Sequence, residues 1–390
     1  MAVTETTRES WGSRLGNSVR GVVVGLVLFV LGFPVLFKNE GNSVRTAKAL
    51  NEGEGACVPL ESIATMDPDM EGRLVHAIGK AETDDILSDD EFGISRTAIR
   101  LERSVEMYQW EESSHTTEKK NLGGSVTKET TYTYSKTWSQ ALIDSSDFKE
   151  AGHDNPAGMM YQSKDQRAQN VRFGAFRLNE SQIARIGGEM ELELGQDYQP
   201  PMANAQRRGN TIYIPNTASS QNSATNIRDV AMSPQIGDMR VTFSIVLPHD
   251  ISIIAKQRGD SFVSYVAKTG KKVDLIANGA KDAAEMFAAA RRGNAMFTWL
   301  GRLGGFLLMF IGLSMILKPL SVLGDVVPFI GTIIGIGAGI VAGLVSLICS
   351  LVTIAIAWIF YRPIIGIALL LVAGFFGWKL WQKRDAATTH

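Results

Sequence analysis

Histidines are the side chains here best suited to metal binding or proton transfer, but their spacing supports neither. No two lie four residues apart, the spacing that puts two ligands on one helix face; they are His76, His115, His153, His249 and His390. The most suggestive local sequence is Gly152-His153-Asp154-Asn155-Pro156. It suits a metal or catalytic site, or a hydrogen-bonded turn before a proline, and we prefer the turn.

Motifs of common catalytic sites are missing from the sequence. There is no serine hydrolase elbow, phosphate-binding loop or His-Glu-x-x-His pattern. Ionisable or nucleophilic groups within the apolar segments are few: Arg302, and hydroxyls such as those of Ser346, Ser350 and Thr353. An isolated arginine near a helix end usually extends to the lipid headgroups. We therefore predict no enzyme activity, no catalytic residue, no metal site and no cofactor.

Glycine spacing gives the sharpest signal within the apolar segments. Four glycines recur every four residues and form a stripe along one helix face: Gly331, Gly335, Gly339 and Gly343. Such a stripe lets a partner backbone approach closely. We predict that these glycines pack their helix tightly, against a helix of the same chain or of another subunit.

Composition excludes nucleic acid as a partner and gives no sign of a disulfide framework. The 390 residues carry a net charge of −1, without the broad basic surface that nucleic-acid binding needs. The mean hydropathy of +0.03 hides an uneven distribution, because apolar residues crowd at the two ends. The two cysteines are Cys57, in a polar region, and Cys349, in an apolar run, so we expect no bridge between them.

Four apolar segments approach the roughly 20 residues that a helix needs to cross a bilayer. They are residues 19–37, 295–317, 331–361 and 362–380, the third being one long or tilted helix. The first could instead be a cleaved signal peptide, but its length favours an uncleaved anchor. The residues predicted at membrane boundaries are Arg20, Lys38, Arg302, Lys318, Arg362 and Lys379.

Lysine and arginine near the segment ends favour a topology with both termini in the cytosol. Residues 1–18 and 381–390 are then cytosolic tails, and residues 318–330 form a short cytosolic connection. Residues 38–279 form an extracytosolic domain, luminal or periplasmic. An amphipathic juxtamembrane helix follows at residues 280–294, either lying at the interface or running into the next membrane helix.

The polar region between the first and second segments shows the period-two alternation of half-buried strands. The strand-like stretches are residues 73–78, 99–110, 130–138, 236–247 and 251–256, with a short helix at residues 180–186. The predicted fold class is α+β. The chain is predicted to be a four-pass membrane protein. A large, mainly antiparallel β-rich extracytosolic domain lies between helix one and a C-terminal three-helix membrane cluster.

Short strings spread over residues 38–363 are similar to those of a known family. They include Lys38-Asn39-Glu40-Gly41, Glu71-Gly72-Arg73-Leu74-Val75-His76, Leu87-Ser88-Asp89, Val105-Glu106-Met107-Tyr108-Gln109-Trp110, Gly237-Asp238-Met239-Arg240-Val241, Ile254-Ala255-Lys256-Gln257-Arg258-Gly259-Asp260 and Tyr361-Arg362-Pro363. With Gly152-His153 and Asn155-Pro156 between them, the chain resembles the LUMA family, also called the transmembrane protein 43 family. The resemblance is weakest at residues 181–229 and at both tails.

The resemblance implies four membrane spans, both ends on the cytoplasmic or nucleoplasmic side, and a large luminal domain. Animal members reside in the endoplasmic reticulum and inner nuclear membrane, self-associate, and bind lamina-linked partners such as emerin. An ion-channel role has also been proposed for the family. It has bacterial members, which the Ala/Gly-rich helices and the single sequon Asn179-Glu180-Ser181 favour here. A bacterial member would lie in the inner membrane and have no lamina-linked partner.

The function we predict is that of a non-enzymatic, multi-pass membrane scaffold. It would self-associate and organise membrane protein complexes through its exported domain. The expected partners are membrane lipid, further copies of the chain and other membrane proteins. The alternative is a cation channel or channel subunit formed by the C-terminal helices, although only Asp325 lies near a membrane end to supply an acidic ring. A hydrolase using His153 and Asp154 is a third hypothesis.

Overall fold

The computed structural model describes residues 2–202, 204–216 and 229–363. Its helices are α1 (Trp11–Ala56), α2 (Glu180–Ile183), α3 (Ala283–Gly324) and α4 (Pro328–Tyr361), with a 3₁₀ turn at Pro68–Met70. Helices α1, α3 and α4 are long and apolar enough to cross a membrane, and they flank a large β-rich domain. The predicted α+β class with an antiparallel β-rich domain is therefore confirmed. The membrane helix predicted at residues 362–380 lies outside the described residues, apart from its first two positions.

The strands, numbered in chain order, form two main sheets and two small hairpins. The first sheet contains β1 (Ala2–Glu9), β6 (Arg100–Lys120), β7 (Val126–Ser139), β8 (Lys164–Arg167), β11 (Met190–Glu191), β12 (Gln206–Arg208), β13 (Thr211–Ile214) and β14 (Met239–Val246). The second contains β2 (Val58–Pro59), β3 (Leu74–Glu82), β9 (Arg172–Phe173), β10 (Phe176–Arg177), β15 (His249–Arg258), β16 (Ser261–Val263) and β19 (Leu275–Asn278). The hairpins are β4 (Ile86–Asp89) with β5 (Ile94–Thr97) and β17 (Tyr265–Val266) with β18 (Lys272–Val273).

The second sheet closes on itself through β3, β15, β16, β10 and β9. Strands β3 and β15 form its long antiparallel pair, and β16 runs parallel to β10. Apolar side chains fill the ring, among them Val75, Phe173, Phe176, Ile253 and Phe262. Because alternate residues of a strand point to opposite faces, β3 and β15 also present apolar side chains outside the ring.

The outer face of β3 and β15 packs against helices α1 and α3. Leu74 and Ile254 lie in one buried cluster with helix residues Ala49, Leu50, Met286 and Phe287. Fully burying one such large apolar side chain contributes about 1.5–3 kcal/mol. The cluster therefore joins the domain to the ends of both helices without an intervening loop.

Each long helix begins where the sequence supplies a suitable first turn. The Ser10 hydroxyl accepts the N–H of Ser13 at the start of α1, and the Asp282 carboxylate accepts the N–H of Glu285 at the start of α3. Such caps satisfy amide groups that have no partner inside the helix. Helix α4 begins with Pro328, whose missing N–H costs nothing in a first turn.

Three predicted boundaries differ from those in the structure. Helix α1 continues past residue 37 to Ala56, because the polar residues after the apolar segment retain helical packing against α3 and the domain. The juxtamembrane helix predicted at residues 280–294 and the next membrane segment form one continuous helix. The connection predicted at residues 318–330 shrinks to residues 325–327.

Strands β6 and β7 extend beyond the core of the domain as a long polar hairpin. Side chains of β6 alternate between buried and half-exposed up to residue 110, and beyond that none is buried. The hairpin runs to the end of the bundle farthest from the domain, where the N–H of Gly123 donates to the carbonyl of Val326 at 3.1 Å. We call residues 111–134 of this hairpin, together with β1, the ribbon.

The N-terminal residues belong to the ribbon. Strand β1 pairs antiparallel with β7, with Glu9 opposite Val126. The charge distribution instead predicts that residues 1–18 form a cytosolic tail, separated from the domain by the membrane. Threonine favours strands, and the threonine-rich composition of residues 2–9 explains why they form a strand and not an irregular tail.

Candidate functional site: the helix bundle and its polar clusters

Helices α1 and α3 cross with their backbones in close contact at Gly25 and Gly312. A Cβ atom at Gly25 would lie 2.6 Å from the carbonyl oxygen of Gly312, and one at Gly312 would lie 2.5 Å from the carbonyl oxygen of Gly25. Further along both helices, a Cβ at Gly32 would instead meet a methionine side chain of α3, and one at Gly305 a leucine side chain of α1. Close backbone approach through small residues, a common means of joining membrane helices, therefore holds α1 against α3.

These four glycines were missed by the sequence analysis, although the sequence carries a signal for them. In each apolar segment the two glycines lie seven residues apart, so they share one helix face. The four-residue repeat in α4 is more conspicuous. It is not the feature that joins α1 to α3.

The glycines predicted to pack α4 have different surroundings along the stripe. A Cβ at Gly331 would overlap the turn between α3 and α4, and one at Gly335 would lie 2.8 Å from the Ser321 hydroxyl. Gly343 faces a phenylalanine ring of α3 at 3.8 Å. Gly339 has no atom within 4 Å of an added Cβ and borders a cavity of about 180 Å³ between α3 and α4. The stripe therefore contacts α3 at its ends and is open near its centre.

Small and hydroxyl side chains form the rest of the face that α4 buries within the subunit. Its buried residues are Ala342, Ser346, Ser350, Thr353 and Ala357. The Ser350 hydroxyl lies 3.4 Å from a methionine sulfur of α3, and the Thr353 hydroxyl donates to its own helix backbone. The Ser346 hydroxyl has no hydrogen-bond partner among the described residues. These short side chains allow α4 to lie close to its neighbours.

A buried ion pair joins all three helices at the end nearest the domain. Glu40 of α1, only 2% exposed, accepts hydrogen bonds from Arg302 of α3 at 2.6 and 3.0 Å. The same carboxylate accepts the indole N–H of Trp358 of α4 at 2.8 Å. The Arg302 guanidinium also lies over the Trp299 ring, 4.7 Å from its centroid. Because a buried charge is stable only when paired and hydrogen-bonded, this cluster fixes the relative positions of α1, α3 and α4.

A second polar cluster lies at the opposite end of the bundle. Asp325, 1% exposed, accepts hydrogen bonds from Arg14 at 2.5 Å and from Lys120 at 2.7 Å. Arg14 also donates to the carbonyl of Gly124, and the Trp11 indole donates to an α3 carbonyl at 2.9 Å. The cluster therefore connects the start of α1, the turn between α3 and α4, and the tip of the ribbon.

The predicted boundary residues do not all meet solvent or headgroups. Three are exposed: Arg20, Lys38 and Lys318. Arg302, which the sequence analysis expected to extend towards the headgroups, instead turns inward because Glu40 lies opposite it on α1. The Arg362 guanidinium lies 5.9 Å from the centre of a tryptophan ring. Lys379 falls outside the described residues.

The turn at residues 152–156 is held by hydrogen bonds and ring packing. The Asn155 side chain bonds the N–H and the carbonyl of Trp110 at 2.7 and 2.9 Å. His153 stacks on Tyr134 with ring centroids 4.0 Å apart and contacts Trp110 edge-on. In the part of the chain that the structure describes, no group of three or more His, Cys, Asp and Glu residues could hold a metal ion. The arrangement agrees with the hydrogen-bonded turn.

Three membrane-length helices joined at glycines and carrying a β-rich domain define an integral membrane protein. Within that class, the family model of Transmembrane protein 43 matches residues 107–363. The chain belongs to this family, which confirms the resemblance found in the short sequence strings.

Relatives are similar over nearly the whole chain. Transmembrane protein 43 of Mus musculus is 35% identical over 376 residues, which cover 93% of this chain and 90% of the mouse protein. The Homo sapiens protein of the same name is 35% identical over 383 residues, covering 95% and 91% of the two chains. The Transmembrane protein 43 homolog of Drosophila melanogaster is 28% identical over 396 residues, covering 100% and 99%. No solved structure matches the chain significantly.

Proposed function

We propose that this chain is a non-enzymatic, multi-pass membrane scaffold that self-associates and organises membrane protein complexes through its exported domain. The observation that carries the proposal is the continuity of α1 and α3, which run from their apolar segments into the buried cluster with β3 and β15. A domain held by two continuous helices keeps a fixed orientation relative to those helices. That rigidity suits the assembly of protein complexes.

The open centre of the α4 stripe supports self-association. Gly339 has no atom within 4 Å of an added Cβ, and neighbouring apolar side chains such as Ile336 and Ile340 are exposed. In lipid, helices associate through van der Waals contact where small residues leave room for a partner backbone. A second copy of the chain is the partner we propose for this part of α4, with other membrane proteins binding the exported domain.

The orientation we propose has both termini in the cytosol and the domain in the lumen or periplasm. The exposed cations Arg20 and Lys318 at the end of the bundle farthest from the domain support it. In a eukaryote the location would be the endoplasmic reticulum and inner nuclear membrane, where lamina-linked proteins are available as partners. In a bacterium it would be the inner membrane.

The experiment that tests self-association is the substitution Gly339→Leu. The added side chain has space within the subunit, so we expect an unchanged thermal midpoint but a smaller particle in mild detergent, measured by light scattering after size-exclusion chromatography. Ile340→Leu, one residue further along α4, preserves volume and serves as the control. An unchanged particle size for Gly339→Leu would remove the support that α4 gives to self-association.

The competing function is a cation channel formed by the C-terminal helices. A cation pore usually presents rings of free acidic or polar groups, whereas the buried carboxylates at the two ends of the bundle, Glu40 and Asp325, are paired with Arg302 and Arg14 of the bundle itself. This pairing favours the scaffold. Selective single-channel currents from purified protein in a planar bilayer, abolished by Gly339→Leu, would overturn the scaffold proposal.

A further inference from the structure

Above its apolar segment, α1 is packed against the turn that joins β17 to β18. The Lys271 ammonium donates to the side-chain oxygen of Asn42, and the N–H of Lys268 donates to the Glu52 carboxylate at 3.1 Å. The backbone carbonyl of Arg45 accepts a hydroxyl of the same turn at 3.2 Å. These contacts place Lys271 beside the part of α1 that first leaves the apolar segment, whereas Lys268 lies beside Glu52, about 15 Å further along the helix.

Aromatic side chains indicate where the membrane surface lies on this side. Trp299 and Trp358 both lie at the level of Glu40, and tryptophans concentrate at bilayer interfaces. Since a helix rises 1.5 Å per residue, Arg45 lies about 8 Å and Lys48 about 12 Å above Glu40. The headgroup layer extends roughly 5–8 Å beyond the hydrocarbon, within reach of long cationic side chains.

Cations gather on this surface in excess over carboxylates. We call it the basic face, and it consists of Lys38, Arg45, Lys48 and Lys271. Within the described part of the chain, none of the four forms an ion pair. Two nearby carboxylates form ion pairs with other cations: Glu40 with Arg302, and Glu54 with Arg291. Even with Glu52 included, the surface keeps a net positive charge.

We propose that the basic face binds the phosphate groups of anionic phospholipids in the leaflet nearest the domain. Clustered cations repel one another, and a phosphate that approaches several of them relieves that repulsion. Basic clusters immediately beside a membrane helix attract anionic lipid for this reason. Lys38 directly follows the apolar segment, so the bound phosphate lies at the bilayer surface. The inference goes beyond the scaffold proposal, because it requires α1 to cross a bilayer but does not require self-association.

Native mass spectrometry of the full-length protein can test this site. The protein is released from mixed micelles that contain equal amounts of phosphatidylglycerol and phosphatidylcholine, and the lipids it retains are counted. We expect the wild type to retain phosphatidylglycerol in excess. The triple variant Arg45→Gln, Lys48→Gln, Lys271→Gln should lose that preference by roughly a hundredfold, because three cations near the headgroups are removed.

A matched control separates the site from the overall charge. The variant Arg96→Gln, Lys149→Gln, Lys164→Gln removes one arginine and two lysines from exposed positions on the first sheet, its loops and the β4–β5 hairpin, and should keep the preference. The charge-retaining variant Arg45→Lys, Lys271→Arg should keep it as well. A wild type without preference, or a folded triple variant with the preference intact, would overturn the proposal.

Two further measurements on the wild type keep the proposal testable if the triple variant does not fold. Added salt should release phosphatidylglycerol, since exposed charges are screened over about 8–10 Å at physiological ionic strength. Retention that is insensitive to salt would contradict the proposal. Inorganic phosphate should not displace the lipid. Efficient displacement would show that the basic face binds a free anion and not a lipid headgroup.

Discussion

Among single residues, Glu40 makes the contacts on which most of the bundle depends. Its carboxylate bonds to side chains of both α3 and α4, 262 and 318 residues away in the chain. The sequence analysis identified Arg302 as a boundary residue but not its partner. No local pattern links two residues so distant, and the inward turn of Arg302 follows only from the packing of α1 against α3.

Replacing Glu40 by glutamine should destabilise the protein strongly. The substitution keeps the shape of the side chain but leaves the Arg302 guanidinium, 17% exposed, without its countercharge. Breaking a buried pair from one side costs about 3–5 kcal/mol, so the thermal midpoint in detergent should fall clearly. Glu61→Gln, at an exposed position without an ion pair in the described chain, is the control. Equal midpoints for the two variants would contradict a structural role for the pair.

The Cys57 thiol, just after α1, should titrate at unusually high pH. Burial raises its pKa to about 11, because the thiolate is poorly solvated beside the apolar cluster. In Cys349→Ala protein, the rate of maleimide labelling should therefore rise about tenfold per pH unit up to pH 10. In urea, the rate should level off near the ordinary pKa of about 8.5.

The same shift predicts how stability depends on pH. Because the folded pKa exceeds the unfolded one, the stabilisation from the neutral thiol is complete below about pH 8.5. It is lost as the pH rises through 11. A labelling rate that levels off at the same pH in folded and unfolded protein would show that the thiol is fully solvated.

Among the elements, the crossing of α1 and α3 is the contact least tolerant of added volume. Gly312→Ala should lower the free energy of unfolding by about 1–3 kcal/mol, the usual cost of overpacking, since the new methyl group meets the backbone of α1. Gly304→Ala in the same helix has open space and should be neutral or slightly stabilising. Thermal unfolding of the two variants in one detergent measures the difference. Equal stability would show that the helices can separate at little cost.

The elements were more predictable from the sequence than the contacts between them. Strands β6 and β14 follow most directly from period-two alternation, because one face of each is buried in the domain. The ring closure through β9, β10 and β16 does not, since these strands have only two or three residues and no period to detect. The crossing glycines were missed for a related reason: small residues mark several faces of the helices, and only packing selects one.

For the molecule as a whole, the ribbon and the helix bundle have matching lengths. Helix α1 has 46 residues, or about 69 Å, and β6 has 21 residues, or about 70 Å. Strands with free edges cannot face lipid, because their N–H and carbonyl groups would lack partners. In a bilayer the ribbon therefore needs a space lined by water or protein, or it separates from the helices.

The proposed topology predicts that β1 separates from the β6–β7 hairpin in a membrane. With residues 1–18 in the cytosol and the domain across the membrane, Glu9→Cys and Val126→Cys should form no disulfide in sealed vesicles, although these positions are opposite each other in β1 and β7. Thr116→Cys and Thr130→Cys, paired within the hairpin itself, should form one. A disulfide between positions 9 and 126 in vesicles would contradict the topology and require an aqueous space beside the bundle.

Beyond its apolar segment, α1 continues unbroken for residues 38–56, about 28 Å of helix that ends within the domain. When α1 tilts, this segment pivots about the bilayer surface and its far end moves the most. Membrane helices change their tilt with bilayer thickness. A change of about 10° would carry the domain sideways by about 5 Å over that length. Differences in membrane thickness are thereby converted into lateral displacement of the domain.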